Sequence, residues 1–174
     1  MKRKEVDQLT VAILSAKSYV ALGVGDFVLA GQYAESLLER GSSLPGAHSL
    51  LAHLYAAESL ILQDRLSEAI KHLDPESVLD VDGGSAAWSP NDVAEGRAAV
   101  QYNLAVGFAL REEWDKAASL VVPLYNNRRH GMSVQVLLLN LYICLRRGNT
   151  DRARQLVREQ CPVQEYRERQ PNTG

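Results

Sequence analysis

The side chains able to do chemistry are four histidines, two cysteines and scattered serines, and their spacing matches no catalytic motif. His48 and His53 are five residues apart, whereas paired metal ligands on one helix face are four apart. His72 and His130 are isolated, and no serine has a readable histidine and carboxylate partner. The sequence therefore predicts no catalytic residue, no metal site and no cofactor, and the chain is not expected to be an enzyme.

Two glycine-containing segments resemble nucleotide-binding loops only superficially. Gly23-Val24-Gly25 lacks the preceding strand and the third glycine of a dinucleotide-binding turn. Gly83-Gly84-Ser85 lacks the lysine of a phosphate-binding loop. We expect a turn between helices at the first, an inserted loop at the second, and no small-molecule substrate.

The two cysteines form neither a disulfide framework nor a zinc site. Cys144 lies in a leucine-rich helical pattern and is expected to be a small buried apolar residue. Cys161 precedes Pro162 at the end of a predicted helix. This usage fits a reducing compartment.

Two asparagines, Asn103 and Asn140, are the candidates for contact with a bound peptide. They lie on the first helices of the last two predicted helix pairs, where an amide can both donate to and accept from a peptide backbone. The alternative is a hydrogen bond within the repeat, and the sequence leaves both open. A clamp for a carboxylate terminus also needs surrounding lysines and arginines, which these helices largely lack.

The composition favours packed helices over a nucleic-acid-binding or membrane protein. The 174 residues are 46% hydrophobic and 6% aromatic, with a net charge of −2. Alanine and leucine, which are strong helix formers, recur throughout. A balance this close to neutral argues against bulk attraction to nucleic acid or to an anionic membrane. No apolar stretch is long enough for a membrane span, and no signal peptide is visible.

The charge is uneven along the chain. Residues 1–110 carry 8 lysines and arginines against 14 acidic residues, whereas residues 111–174 carry 11 against 7. The prominent arginines of the second part are Arg128, Arg129, Arg146, Arg147, Arg152, Arg154 and Arg158. They are consistent with solvated helix faces, with a basic surface for an acidic partner, or with an RNA groove.

The helices predicted to carry the candidate asparagines and the arginines form an internal repeat. Four segments each contain a helix with small residues, a short polar turn, and a second helix with an alanine in its first turn. These anchor alanines are Ala30, Ala69, Ala117 and Ala153, spaced by 39, 48 and 36 residues. Because a tetratricopeptide repeat is about 34 residues long, the sequence predicts an all-α, tetratricopeptide-like α-solenoid of about four helical hairpins.

Further positions keep the same register. Small residues mostly lie twelve positions before each anchor alanine, where they allow two helices to cross closely. The predicted repeat-packing residues are Ser18, Ala30, Ala57, Ala69, Ala105, Ala117 and Ala153. The predicted turns are Gly25-Asp26, Asp64-Arg65, Glu112-Glu113 and Gly148-Asn149, in which Gly and Asn suit a left-handed helix end and Asp suits the next helix start.

The predicted helix pairs are 6–22 with 26–40, 47–62 with 66–73, 97–111 with 114–125, and 133–146 with 150–160. They form one domain over 1–162, with a flexible insertion at about 75–96 and a disordered polar tail at 163–174. Apolar residues at the N-terminal end are expected to be covered by preceding repeats or another protein. They are Leu9, Val11, Ala12, Leu14 and Tyr19.

Several sequence segments resemble the C-terminal repeats of the family of subunit ten of the CCR–NOT mRNA deadenylase complex. They are Ser15 to Leu22, His53 to Ile61, Asp64 to Glu76, Tyr102 to Ala105, Trp114 to Ala117 and Gly148 to Thr150. The polar insertion falls where that family has a variable loop, and the resemblance covers most of 9–160. The chain is much shorter than the full subunit.

The resemblance implies a non-catalytic scaffold or adaptor subunit, cytoplasmic and nuclear. In that family the solenoid pairs with subunit eleven, and the pair docks on the N-terminal region of the large scaffold subunit. The complex shortens poly(A) tails, represses translation and affects transcription. The alternatives are an independent tetratricopeptide adaptor for a linear peptide and direct RNA binding by the arginine-rich part.

Overall fold

The computed structural model describes residues 3–40, 46–74, 90–127 and 131–160, and every regular element within these ranges is helical. The helices are α1 (Arg3–Gly23), α2 (Phe27–Leu38), α3 (Gly46–Leu62), α4 (Leu66–Ala69, continued by a 3₁₀ turn over Ile70–His72), α5 (Pro90–Leu110), α6 (Trp114–Asn126), α7 (Ser133–Arg146) and α8 (Thr150–Gln160). They pair into four hairpins, which confirms the predicted all-α, tetratricopeptide-like architecture.

The turn inside each hairpin is the same. In the first hairpin, the Gly25 amide donates to the Leu22 carbonyl at 3.1 Å and the Asp26 amide donates to the Ala21 carbonyl at 2.9 Å. These bonds form a Schellman motif, which ends a helix with one left-handed residue. The left-handed residues are Gly25 (φ 83°), Asp64 (φ 58°), Glu112 (φ 59°) and Gly148 (φ 72°), each five positions before an anchor alanine. The predicted turn positions are confirmed.

The second helix of each hairpin starts at a fixed distance from its anchor alanine. The residue four positions earlier accepts the alanine amide through its carbonyl in all four hairpins. Asp26 and Asn149 also cap their helices, because their side-chain oxygens accept from the amides of Leu29 and Arg152. The other two hairpins begin without a side-chain cap, so their start depends more on packing.

Packing joins the hairpins into a solenoid. Each first helix (α1, α3, α5) contacts the next first helix along the chain, and α2 and α6 also contact the first helix of the following hairpin. The apolar core follows this order, with one cluster between hairpins one and two, one between two and three, and one across three and four. Each hairpin therefore completes its core on its neighbours.

The seven predicted repeat-packing residues all lie in the interior of the solenoid. Six have no exposed surface and Ala153 retains 3%. Ser18 also makes a polar contact, because its hydroxyl donates to the Ala30 carbonyl at 2.8 Å.

Two glycines lie at close contacts between hairpins. A Cβ added at Gly107 would lie 2.5 Å from Cδ1 of Leu66, and one added at Gly31 would lie 2.7 Å from Oγ of Ser59. Ser59 Oγ in turn donates to the Phe27 carbonyl at 2.6 Å. At each point a side chain of the neighbouring hairpin packs directly against the glycine and leaves no room for a larger residue.

Two predicted boundaries are corrected. The third hairpin begins at Pro90 rather than at 97, so the predicted insertion over 75–96 is wrong at its C-terminal end. Proline has no amide hydrogen, and the first residue of a helix needs none, so Pro90 starts the helix instead of excluding it. The second helix of hairpin two is α-helical only to Ala69 and then tightens to 3₁₀. Residues 75–89 and the predicted tail at 163–174 lie outside the described residues.

Candidate protein-interaction surfaces

The two asparagines proposed to contact a peptide occupy different environments. Asn140 is only 3% exposed and lies on the same buried stripe of α7 as Val136, Ile143 and Cys144. Its Oδ1 accepts from the Cys144 thiol at 3.8 Å, and its Nδ2 is buried without a partner in the described part of the chain. With so little exposed surface, Asn140 favours the alternative of a structural role within the repeat. Asn103 is half-buried on α5 and stays a candidate.

A tyrosine–glutamate cluster, defined as Tyr19, Tyr55, Glu58 and Tyr102, spans α1, α3 and α5. Tyr19 is 67% exposed, and its ring centroid lies 6.5 Å from that of Tyr55. Glu58 follows Tyr55 by one helical turn and is exposed. Partial desolvation raises the pKa of Glu58. The pKa values of Tyr55 and Tyr102 are raised by desolvation and then by the negative charge of Glu58.

Sequence reasoning missed this cluster, although a signal for it exists. Tyr19, Glu58 and Tyr142 each lie eleven residues before an anchor alanine, and Val106 is the equivalent residue of the third hairpin. Three of these four residues are exposed and Val106 is half-buried. Reading this position across the repeats would have identified a surface-facing column of aromatic and charged side chains.

A second surface, which we call the apolar stripe on α7, lies on the exposed side of that helix. Val134, Leu138 and Tyr142 are exposed at a spacing of four residues, which places them on one side of the helix. The Tyr142 ring contacts the Trp114 ring edge-on at 5.9 Å, and the Arg146 guanidinium lies over Trp114 at 5.1 Å from its centroid. Three adjacent apolar side chains and an ordered aromatic pair are features of a surface that binds a protein.

A third surface is an apolar groove of about 390 Å³ at the N-terminal end, between α1 and α2. It is lined by Ile13, Ala16, Val20, Val24, Leu29 and Tyr33, with the Lys17 ammonium over the Tyr33 ring at 5.4 Å. The predicted N-terminal packing residues divide between this end and the core. Leu9, Ala12 and Tyr19 are exposed, whereas Val11 is buried and Leu14 packs beside it.

A groove of about 630 Å³, lined by both polar and apolar residues, lies between α2, α3 and α4, with His72 in its wall. Nδ1 of His53 and Nδ1 of His72 are 3.3 Å apart, and Nε2 of His72 lies 3.5 Å from Oε1 of Glu35. Burial, and then the neighbouring His72, lower the pKa of His53 to about 4. No group of three or more potential ligands forms a metal site within the described ranges. His130 lies outside those ranges.

Most of the described arginines in the basic C-terminal part are paired with carboxylates. Arg146 contacts Glu112 at 2.9 Å and Arg147 contacts Asp115 at 2.7 Å, which ties α7 to the turn and the helix before it. Arg152 and Arg154 pair with residues of their own helix, α8. Arg128 and Arg129 lie outside the described residues. These pairs favour solvated helix faces over a continuous basic groove.

No helix in the described ranges is long and apolar enough to cross a membrane. A family model described as the CNOT10 tetratricopeptide repeat domain matches residues 8–83 and 80–151. CCR4-NOT transcription complex subunit 10-A of Xenopus laevis is 33% identical over 189 residues, covering 91% of this chain and 24% of the relative.

Subunit 10 of the same complex from Danio rerio is 32% identical over 185 residues, covering 91% of this chain and 29% of the relative. The Drosophila melanogaster subunit 10 is 39% identical over 126 residues, covering 70% of this chain and 19% of the relative. The chain thus spans between about a fifth and three tenths of the length of these curated relatives.

Proposed function

The chain belongs to the CNOT10 tetratricopeptide repeat family, and we propose on that premise that it is a non-catalytic scaffold or adaptor subunit of the CCR4-NOT complex. In this role it supports mRNA poly(A) shortening and turnover, translational repression and transcription regulation through contacts with proteins. The observation that carries the proposal is the similarity to subunit 10, which extends over 91% of the chain.

We propose that the chain binds subunit eleven and the N-terminal region of the large scaffold subunit. These contacts form in both the cytoplasm and the nucleus. The apolar groove at the N-terminal end and the apolar stripe on α7 support protein binding, because each groups large exposed apolar side chains on one face. These surfaces lie on the first and last hairpins, so two partners can be held without overlap. We propose no small-molecule substrate, no membrane contact and no direct RNA contact.

The test is affinity purification of the tagged chain from cells, followed by quantitative mass spectrometry. We expect subunit eleven and the large scaffold subunit to be enriched together. Val24→Asp in the groove and Leu138→Asp on the α7 stripe place a charge on exposed apolar residues, and we expect at least one of them to lower recovery of a subunit. Ser67→Asp, on the exposed side of α4, is the matched control. Absence of all CCR4-NOT subunits from a purification of folded chain would contradict the proposal.

An independent adaptor for linear peptides is the second candidate, and the tyrosine–glutamate cluster with Asn103 favours it. That function predicts peptide-array hits that are lost on Asn103→Ala and a purification without CCR4-NOT subunits. Direct RNA binding requires an affinity for poly(A) that falls steeply with salt. The ion pairs of Arg146, Arg147, Arg152 and Arg154 disfavour it, and a flat titration with poly(A) removes it.

A further inference from the structure

We propose that the tyrosine–glutamate cluster binds an arginine side chain carried by a linear segment of a partner protein. The inference rests on the proposed function in one respect, namely that the chain binds proteins. It does not depend on which complex those proteins belong to. Tyr19, Tyr55 and Tyr102 supply aromatic rings, and Glu58 supplies the charge.

Three consecutive hairpins bring these side chains together. Tyr55 and Glu58 are three residues apart on α3, and therefore share one side of that helix. Tyr19 reaches the cluster from α1, with its ring 6.5 Å from Tyr55 and tilted by 47°. Tyr102 is half-buried on α5, the helix that packs against α3, and the charge of Glu58 contributes to the raised pKa of its phenol. The site thus exists only when the first three hairpins are stacked.

Glu58 has no counterion in the described ranges, in contrast to three other glutamates of the chain. Glu68 pairs with Arg65 at 2.6 Å, Glu113 with Lys116 at 2.6 Å, and Glu112 with Arg146 at 2.9 Å. The carboxylate of Glu58 has neither an ion pair nor a hydrogen bond to any residue in the described ranges, and Tyr55 lies one turn before it on the same helix. A carboxylate that is partly desolvated and unpaired is destabilised, and an incoming cation relieves that state.

The aromatic rings select the type of cation. A guanidinium is planar and weakly hydrated, so it stacks on tyrosine rings while its N–H groups reach a carboxylate. An acidic peptide or a nucleic-acid phosphate is repelled by Glu58 and finds no cation in the cluster. On the same two helices, Leu62 lies one turn after Glu58 and Leu110 lies about two turns after Tyr102, and both are exposed. The structure therefore favours an arginine flanked by apolar residues.

The experiment follows the tyrosine ring signals of the 174-residue chain by NMR, with isotope-labelled tyrosine. The probe is the peptide acetyl-Leu-Ala-Arg-Ala-Leu-amide, and its matched control has glutamine in place of arginine. We expect the arginine peptide to shift the signals of Tyr19, Tyr55 and Tyr102 saturably, and to leave Tyr125 unchanged. We expect the glutamine peptide to bind about tenfold more weakly, the loss typical of one charge-assisted contact.

Glu58→Gln removes the charge and keeps the shape of the side chain. It should lower the affinity for the arginine peptide by about tenfold. Glu39→Gln, an exposed carboxylate at the end of α2, should leave the affinity unchanged. Tyr19→Leu changes an exposed ring and should also weaken binding without unfolding the chain. Equal affinities for the two peptides, or an unchanged affinity of Glu58→Gln for the arginine peptide, would contradict the proposed arginine site.

The two proposals fail in different ways. Peptide binding that depends on Glu58, in a chain that recovers no CCR4-NOT subunit, leaves the arginine site standing and refutes the proposed complex. Recovery of the subunits by a chain that does not distinguish the two peptides refutes only the site.

Discussion

The hydroxyl of Ser18 on α1 donates a 2.8 Å hydrogen bond to the main-chain carbonyl of Ala30 on α2, and neither residue has exposed surface. The two residues are twelve positions apart, at the point where the helices of the first hairpin cross. A serine at this position therefore does two things. It is small enough for close packing, and it ties the two helices through a buried polar contact.

Replacing Ser18 by alanine should lower the free energy of unfolding by about 1–2 kcal/mol, because a buried hydrogen bond is lost while the helices can still approach. Ser15→Ala on the same helix is the matched control. The Ser15 hydroxyl is buried with no hydrogen-bond partner in the described part of the chain, so its removal should be neutral or slightly stabilising. Urea denaturation measures both, and equal losses would show that the Ser18 bond contributes nothing.

Replacing Gly23 or Gly25 by alanine should change the free energy of unfolding in opposite directions. Gly25 has φ 83°, which costs an alanine about 1–2 kcal/mol. Gly23 ends α1 with open space around it, so an alanine there should stabilise the helix by about 0.5–1 kcal/mol. Thermal and urea unfolding of the two variants provide the measurement. A loss at Gly23 as large as that at Gly25 would contradict the assigned turn.

Asp64 occupies the same left-handed position in the second hairpin, with φ 58° and an exposed side chain. Asp64→Gly should raise the free energy of unfolding by up to about 1 kcal/mol, because glycine adopts this conformation without steric strain. Glu112→Gly relieves the equivalent strain but also removes the ion pair with Arg146, so its gain should be smaller. A larger gain at Glu112 than at Asp64 would contradict this account.

Gly107 lies where hairpins two and three meet, and a Cβ there would clash with Leu66. Gly107→Ala should destabilise the chain by about 1–3 kcal/mol through overpacking. The double variant with Leu66→Val should recover part of that loss, because the shorter side chain makes room. Gly131→Ala, with nothing near its added Cβ, is the control. An additive double variant would show that the two residues do not compete for space.

His53 should give the stability a recognisable pH dependence. Its pKa in the folded chain is lowered to about 4 by burial and then by His72, so the unfolded chain takes up the proton first as the pH falls. Stability contributed by neutral His53 is therefore complete above pH 6.5 and is lost progressively between pH 6.5 and 4.

The loss should reach roughly 1–2 kcal/mol, reduced because solvent reaches part of the ring. His53→Gln removes this contribution. The difference in unfolding free energy between the wild-type chain and the variant should therefore shrink as the pH falls from 7 to 4. Parallel pH profiles for the two proteins would rule out the shifted pKa.

The sequence by itself determined the four hairpins and their turns, since these follow from local rules. A left-handed residue five positions before each anchor alanine and a helix start four positions before it act within one or two turns of chain. The positions of the anchor alanines could also be predicted from the sequence, because only a small residue fits where two helices cross. A local signal was misread at Pro90, which can begin a helix as well as interrupt one.

Only the tertiary structure decided which side of each helix faces solvent. Asn140 and Tyr142 lie two residues apart on α7, yet Asn140 is buried and Tyr142 is exposed, because the neighbouring helices pack against one side of α7. The tyrosine–glutamate cluster likewise joins residues from three hairpins, with no short motif connecting them. Stacking of neighbouring repeats covers some faces and leaves others open. The chain therefore specifies its hairpins locally and its binding surfaces only through their packing.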